Sequence, residues 1–238
     1  MVLYSADHGE YGKRLVVLTK ECGKVTMFAN NARRPKNPLV SACSIFAMGS
    51  FTVKRGRDSY TLYSADIKEH FAGLELDMEK FCHASYFCEF MSYYTREGEY
   101  SKDMLNLLFL AIKAVEKGEM ELALVRRVFE LKTMSLAGEG PNVSGCVSCG
   151  DKAAGQWFSV NRGGLLCDAC GRLVKDALRI SPTVAYTLKF VAASPLTELF
   201  TFSLKSDAMD EFDRLVNAFV KRYVDREFKS LAILGGIV

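Results

Sequence analysis

The sequence lacks any long apolar run, because its densest stretch covers only residues 107–112. A membrane-spanning helix needs roughly 20 consecutive apolar residues, so the sequence predicts no membrane span. The first seven residues carry no basic flank followed by an apolar stretch, so no secretion signal is expected either. We therefore expect a cytoplasmic chain whose cysteines stay reduced and form no disulfide framework.

Catalytic motifs are also missing. The chain has no Gly-rich phosphate loop of the Walker or Rossmann kind, no Gly-x-Ser-x-Gly and no His-Glu-x-x-His. It contains only three histidines, which further limits general acid–base chemistry. The sequence therefore predicts a protein that is not an enzyme, and no catalytic residue is assigned.

Positive charge is concentrated at the start of the chain. The formal net charge is only +3, yet residues 1–60 contain ten Lys and Arg against four Asp and Glu. Apolar residues make up 49% of the 238, enough for a packed core in one large domain or two small ones. A basic quarter on a slightly acidic body suggests an anionic partner, although a solvated surface explains charge alone equally well.

Short β-rich runs occupy the first third of the chain. Residues 15–18, 25–28, 44–53 and 60–64 are predicted strands, and Gly49 inside the third run indicates a bulge or bend. Two basic loops, residues 30–38 and 54–58, separate them. Short, bent, closely spaced strands are typical of a small barrel or sandwich.

Helical periodicity begins near residue 77. Helices are predicted over residues 78–96, 101–117, 119–136 and 206–228, and another begins at Ser181-Pro182, which suit a cap and a first helical position. The predicted fold class is α+β: a β-barrel domain over residues 1–76, followed by an all-α helical domain over residues 77–238. A four-cysteine module over residues 142–172 is inserted in the second domain.

Two Cys-x-x-Cys pairs form the strongest motif in the sequence: Cys146 with Cys149, and Cys167 with Cys170. Each pair can aim two thiolates at one ion from a tight turn, and two such knuckles complete the tetrahedral sulfur shell that suits Zn²⁺. Four closed ligands leave no open position, so one structural zinc ion is predicted. Redox dithiols and iron–sulfur ligation are the alternatives.

The module has further local signals. Residues 156–160 and 165–166 flank a Gly-rich turn and predict a hairpin that carries one knuckle at each end. Gly150 and Gly171 follow the second cysteine of each pair, where we expect left-handed backbone. The remaining cysteines, Cys22, Cys43, Cys82 and Cys88, are scattered and are expected to be small buried hydrophobes.

A barrel with basic loops is a common form of single-strand binder, in which Lys and Arg follow the phosphates and aromatic faces stack on bases. Phe28 and Phe51 are better explained as core residues. Tyr60, just after the second basic loop, is the stacking candidate.

Several segments resemble one family in order along the chain. Residues 10–25 (EYGKRLVVLTKECGKV), the basic loop 31–36 (NARRPK) and residues 223–230 (YVDREFKS) resemble the bacterial recombination mediator RecO family, whose zinc-bearing members carry their cysteines at the same place. The family usually has a fuller first strand, whereas this chain starts almost inside it. A short first strand or a trimmed N-terminus is therefore expected.

The resemblance implies an N-terminal OB-fold, a helical body and a role in DNA repair and recombination. It implies binding of single- and double-stranded DNA, strand annealing, association with RecR and with the C-terminal tail of single-stranded DNA-binding protein, and an indirect effect on the RecA filament. The implied location is the cytoplasm, in association with the nucleoid. The residues expected to contact DNA are Lys13, Arg14, Lys24, Arg33, Arg34, Lys36, Lys54, Arg55 and Arg57, with Tyr60 stacking.

Two other functions stay open from the residues alone. One is a protein-interaction scaffold, in which Arg126, Arg127, Arg172 and Lys175 offer bases for an acidic peptide. The other is a zinc-ribbon transcription or RNA-processing factor, which accounts for the cysteines but not for the basic strands before a helical body.

Overall fold

The computed structural model describes residues 1–57, 59–152 and 155–236. The chain divides into two compact units, which are described separately below. The first contains Met1–Glu116 together with Phe228–Val238, and the second contains Lys117–Glu227. The domain boundaries expected from the sequence, 1–76 and 77–238, stay a prediction.

A five-stranded sheet begins the first unit. Its strands are β1 (Val2–His8), β2 (Gly12–Thr19), β3 (Gly23–Ala29), β4 (Met48–Arg55) and β5 (Tyr60–Glu69). They lie in the order β1-β2-β3-β5-β4, and all pairs are antiparallel except β3 with β5. The Val2 N–H donates to the Ala47 carbonyl, just before β4, and the Val2 carbonyl accepts from Phe46 N–H. This partly closed five-stranded arrangement confirms the predicted OB-fold.

The strand pattern explains where the core of this sheet lies. Every second residue of β3 is buried, and Val25 and Met27 pack with Leu15 and Val17 of β2 inside the barrel. This alternation is the period-2 signal of a half-buried strand. The first strand has seven residues, as many as β3, so the expectation of a short first strand is wrong.

The predicted bend at Gly49 is confirmed. The pairing register of β4 with β5 shifts between Met48 and Gly49, and a Cβ on Gly49 would lie 2.0 Å from the Asp66 carbonyl oxygen. The strand itself begins later than residue 44, because residues before Met48 form turns and Phe46 has a φ of 69°.

Three helices contribute to the first unit: α1 (Met78–Tyr94), α2 (Lys102–Lys117) and α7 (Lys229–Leu234). The side chain of Asp77 caps α1 by accepting a hydrogen bond from the Lys80 N–H. The ring of Phe228, which precedes α7, packs against two rings of α1. Its centroid lies 5.3 Å from that of Tyr86 and 5.6 Å from that of Phe90.

The second unit combines helices with a small sheet. Its elements are α3 (Leu122–Leu136), β6 (Trp157–Ser159), β7 (Gly164–Leu166), α4 (Asp168–Gly171), β8 (Ala177–Arg179), α5 (Pro182–Ala193) and α6 (Ser206–Tyr223). The strand order is β7-β6-β8. The hairpin β6–β7 confirms the sequence prediction, and β8 is an additional strand. Ser181 caps α5 as predicted, because its Oγ accepts from the Val184 N–H.

The last helices differ in length from the prediction. The amphipathic pattern over residues 206–228 predicts one helix, but α6 ends at Tyr223 and extended backbone follows until α7. The apolar stripe of α6 is buried as expected, and it includes Phe212, Leu215 and Phe219. Among the described residues, no helix has both the length and the apolar character that crossing a bilayer requires.

Polar side chains are also buried between the helices of the second unit. Arg127 of α3 donates to Asp213 of α6 through Nε at 2.7 Å and to Glu130 through Nη1 at 2.8 Å. The Glu130 side chain has no exposed area, and its second oxygen is paired with Arg126 at 2.9 Å. A buried carboxylate is tolerated only when it is paired in this way.

A buried lysine caps the C-terminal end of helix α5. The Lys132 Nζ donates to the carbonyl oxygens of Val191, Ala192 and Ser194 at 3.1, 3.0 and 2.8 Å. Burial lowers the pKa of this ammonium. The cation meets the negative end of the helix dipole.

Candidate metal centre and nucleic-acid interface

The two cysteine pairs sit on matching backbone turns. In the first, the Gly150 N–H donates to the Cys146 carbonyl at 2.8 Å, and the Cys146 N–H donates to the Asp151 carbonyl at 2.8 Å. In the second, the Gly171 N–H donates to the Cys167 carbonyl at 2.8 Å. Each turn brings two sulfurs to the same side of the backbone.

The four sulfur atoms meet at one point. The Sγ atoms of Cys146, Cys149, Cys167 and Cys170 all lie within 4.8 Å of one another, and those of Cys149 and Cys167 are 3.7 Å apart. Zn–S bonds of about 2.3 Å in a tetrahedron place sulfurs about 3.8 Å from each other. The spacing and the donor set therefore fit a metal ion held by four thiolates.

The four thiols of the cluster do not all ionise with equal ease. Burial by itself raises the pKa of Cys146, but backbone N–H groups of Cys167, Cys149 and Ser148 hydrogen-bond to its sulfur and lower the pKa to about 6. Hydrogen bonds with the thiols of Cys149 and Cys167 raise the pKa of Cys170 to about 12. The Cys146 thiolate forms easily, whereas hydrogen bonds among the thiols raise the pKa of both Cys149 and Cys170, so a full set of four thiolates requires a positive ion among them.

The two glycines that follow the knuckles have different roles. Gly150 has a φ of 77°, as predicted for left-handed backbone. Gly171 lies in the short helix α4 and its φ is not left-handed, so that part of the prediction is wrong. Glycine is needed there for space, because a Cβ would lie 2.3 Å from Cγ of Trp157.

Side chains around the hairpin fix the knuckles in place. The Trp157 Nε1–H donates to Asp168 beside the second knuckle at 2.9 Å. The Tyr223 hydroxyl donates to the Val160 carbonyl at 3.1 Å, and a Cβ on Gly163 would lie 2.9 Å from that hydroxyl oxygen. The hairpin is therefore held both at its cysteine end and at its turn.

The other four cysteines belong to the first unit. Cys43, Cys82 and Cys88 are buried, as expected for small hydrophobes, and burial raises the pKa of all three thiols. Cys22 is exposed in the β2–β3 turn, so the expectation of burial is wrong for this residue.

The basic loop and the first hairpin form a cleft of about 970 Å³ in the first unit. We call it the basic cleft; its cations are Lys13, Arg33, Arg34 and Lys36. Positive φ angles at Asn31 (57°) and Lys36 (64°) shape the loop. The structure therefore brings together four of the nine cations expected to contact DNA.

Two main-chain hydrogen bonds and a stacked ring hold Arg33 and Arg34 of the basic cleft in place. The Arg33 N–H donates to the Tyr11 carbonyl at 2.9 Å, and the Arg34 N–H donates to the Asn31 carbonyl at 3.0 Å. The Arg34 guanidinium lies over the Tyr11 ring, 4.9 Å from its centroid. The loop is thereby tied to the turn between β1 and β2.

Two acids line the cleft, Asp7 and Glu75, and Asp7 is paired with its cations. Asp7 of β1 is 2.8 Å from the Lys13 Nζ and 3.2 Å from Arg33 Nη1. The hydrogen bond from Lys13 and the charges of Arg33 and Lys13 hold the pKa of Asp7 below its ordinary value.

The remaining predicted cations lie elsewhere on the sheet. Arg14 is exposed, but strand alternation points it to the opposite face from Lys13. Lys24 is half-buried and donates to the Ser92 carbonyl of α1. The others, which lie at the exposed end of β4 and in the following turn, are Lys54, Arg55 and Arg57.

The predicted aromatic residues, Phe28, Phe51 and Tyr60, are all half-buried. Tyr60 is half-buried, packs against the barrel core with Phe51 and lines a cavity of about 360 Å³. Its role in stacking stays a prediction. Phe28 alternates with the buried residues of β3 and is half-buried against the His8 ring, with centroids 4.6 Å apart, so the expectation that it belongs to the core is wrong.

Sequence reasoning missed three features of the cleft. Tyr4, which is 51% exposed, lies in the cleft wall, and Tyr11 stacks under Arg34. Asp7 pairs with two of the cations. Tyr11 could have been found, because it stands in a turn two residues before Lys13. Asp7 could be found only with the strand register.

Comparisons with known proteins match nearly the whole chain to one group. Residues 1–71 match the family model described as Recombination protein O N terminal, and residues 75–232 match Recombination protein O C terminal. The chain is 30% identical to a DNA repair protein RecO of Alkaliphilus metalliredigens, covering 98% of this chain and 95% of the relative. It is 30% identical to that of Symbiobacterium thermophilum, covering 98% and 97%. Neither description names a catalytic reaction.

Proposed function

Because this chain belongs to the RecO family of DNA repair proteins, we propose that it is a recombination mediator. It binds single- and double-stranded DNA, anneals complementary strands and helps to load recombinase onto coated single-stranded DNA. Its partners are RecR and the C-terminal tail of single-stranded DNA-binding protein, and its effect on the RecA filament is indirect. It acts in the cytoplasm, at the nucleoid, without catalysing a reaction.

The basic cleft is the observation that supports this proposal. Four cations line one depression on an OB-fold, and backbone hydrogen bonds fix the loop that carries three of them. Lys and Arg contacts to phosphates give affinity without reading sequence. A mediator must act on any damaged stretch, so binding that does not depend on sequence suits this role.

Strand annealing needs no active site on this surface. Phosphate charge on two complementary strands opposes their approach, and cations at the cleft and at the β4–β5 end can neutralise part of it. Strands whose bases remain accessible then pair by themselves. An annealing assay with labelled complementary oligonucleotides tests this step; a rate that stays at the spontaneous value with excess protein would remove annealing from the proposal.

The cysteine cluster is proposed to hold one structural zinc ion. Cys146, Cys149, Cys167 and Cys170 would be its ligands, and the ion would supply the positive charge that four thiolates need. Since all four positions are filled by sulfur, the ion contributes to folding and not to chemistry. Melting and DNA affinity of Cys146→Ser/Cys149→Ser would show whether the ion also supports DNA binding.

The DNA-binding proposal has a direct test. Arg33→Glu/Arg34→Glu/Lys36→Glu should lower affinity for an oligo-dT strand at least about tenfold and flatten the salt dependence, because each lost phosphate contact removes about 0.7 from the slope of log K against log salt.

A matched control carries the same change in charge: Lys68→Glu/Arg96→Glu/Lys102→Glu reverses three exposed cations of the same unit that lie outside the cleft. Binding should be measured by fluorescence anisotropy between 50 and 200 mM salt. Equal losses in both triple variants would mean that net charge, and not the cleft, determines binding.

The acidic tail of single-stranded DNA-binding protein needs exposed cations. Of the four bases that the sequence offers, Arg127 is buried and Arg126 is paired with Glu130, whereas Arg172 and Lys175 are exposed. A tail site is therefore proposed near the latter two. The zinc-ribbon transcription or RNA-processing alternative does not account for the match of both RecO family models.

A further inference from the structure

The pairing of β1 with β2 places Asp7 in the lining of the basic cleft. Asp7 stands directly opposite Lys13 in the β1–β2 ladder, and its carboxylate oxygens lie 2.8 Å from Lys13 and 3.2 Å from Arg33. Arg33 is brought there by its main-chain bond to Tyr11 and by a 3.4 Å contact of Nη1 with the Glu10 carbonyl. The pairing therefore joins three separate chain segments at one point.

A carboxylate at this position resembles what the cleft is proposed to bind. Carboxylate and phosphate oxygens both accept hydrogen bonds from ammonium and guanidinium groups, with the same preferred geometry. A phosphate that approaches Lys13 and Arg33 must meet the donors that Asp7 already holds. It must also approach the negative charge of Asp7, which offsets one of the two positive charges.

The carboxylate can leave this position readily. The Asp7 side chain is 53% exposed, and those of Lys13 and Arg33 are 29% and 41% exposed. Ion pairs this open to water contribute little to folding stability. An incoming phosphate therefore replaces the carboxylate without disrupting the sheet, and Asp7 returns when the strand leaves.

We propose that Asp7 occupies a phosphate position of the basic cleft in the free protein and limits its affinity for polynucleotide. The inference rests on the proposed DNA binding and adds a residue that opposes it. Asp7 is a positioning residue, because it acts through Lys13 and Arg33. A surface that binds strands but contains its own competitor exchanges them quickly, as a protein that hands strands to a partner requires.

The opposite role predicts an opposite result. If Asp7 served mainly to orient Lys13 and Arg33 for phosphate, its removal would disorder both cations and weaken DNA binding. Asp7→Asn keeps the size of the side chain and its ability to accept a hydrogen bond, so it removes the charge with the least change in shape. The direction of its effect on affinity separates the two roles.

The test compares Asp7→Asn with Glu10→Gln and the parent protein, using labelled oligo-dT between 50 and 200 mM salt. Glu10 is an exposed acid in the turn that follows β1, and it forms no ion pair among the described residues, so its variant carries the same charge change. Asp7→Asn should bind several-fold more tightly at 50 mM and steepen the salt slope by about 0.7, the value for one phosphate on a single strand. Glu10→Gln should change both much less.

A second background makes the result specific. In Lys13→Gln/Arg33→Gln, the gain from Asp7→Asn should fall to that of Glu10→Gln, because the cations that Asp7 holds are gone. Unchanged or weaker binding by Asp7→Asn, or an equal gain from Glu10→Gln, would overturn the inference. Failure of the parent protein to bind at 50 mM salt would instead overturn the proposed function.

Discussion

Arg127→Met should destabilise the second unit, because it removes one of the two arginines that pair with a fully buried carboxylate. The Glu130 side chain has no exposed area and that of Arg127 is 5% exposed, so water cannot readily take the place of a lost partner. Removing one member of such a buried pair costs about 3–5 kcal/mol. Arg126 remains bonded to one oxygen of Glu130 and Asp213 is 38% exposed, so the lower end, about 3 kcal/mol, is expected.

The assay is urea denaturation followed by the fluorescence of Trp157. It is the only tryptophan of the chain and lies in the unit that contains α3 and α6. The urea concentration at the midpoint of unfolding should fall, while the slope of the free energy of unfolding against urea concentration should stay unchanged.

The double variant Arg127→Met/Glu130→Met removes both buried charges. Its cost should therefore be smaller than the sum of the single variants by at least about 1 kcal/mol. A loss below about 1 kcal/mol for Arg127→Met, or additive effects in the double variant, would refute the reasoning.

Metal-replete protein should contain about one zinc per chain by elemental analysis, and a chelator should lower its melting temperature; iron, or no metal, would contradict the proposed centre. Gly171→Ala places a Cβ 2.3 Å from Trp157 and should weaken zinc retention at least about tenfold, whereas Gly155→Ala, with nothing within 4 Å, should retain zinc normally. Competition with a chromogenic chelator measures both, and equal retention would disprove the packing argument. Lys132→Met removes three bonds to the end of α5 and should cost about 2 kcal/mol in the same urea titration; a loss below about 0.5 kcal/mol would count against that role.

Features that depend on neighbouring residues were predictable from the sequence. The four-cysteine cluster follows from two local turns and a hairpin, and both the hairpin and the Ser181 cap are confirmed. The basic loop was predicted because its prolines and asparagines exclude regular structure. The bulge at Gly49 was predicted because a glycine interrupted an apolar β-rich run. In each case the chemistry and the constraint lie within a few residues.

Features that depend on distant residues were not predictable. Gly171 is required by the ring of Trp157, which only the fold brings to it. Asp7 meets Arg33 because β1 pairs with β2 in one register and the loop after β3 returns to the turn between them. Periodicity also does not predict that α6 ends at Tyr223, because the apolar pattern continues in Val224 and Phe228 although the helix has ended.

The return of the chain to its first unit has a consequence for biosynthesis. Residues 117–227 are contiguous, so this unit can fold as soon as it has left the ribosome. Met1–Glu116 emerges before it, but the ring that packs on Tyr86 and Phe90 belongs to Phe228, which is translated only after the second unit. The nascent protein therefore carries an incompletely covered aromatic face on α1 until the second unit has been translated, a surface of the kind that chaperones hold. The first unit is thus begun before the second and completed after it.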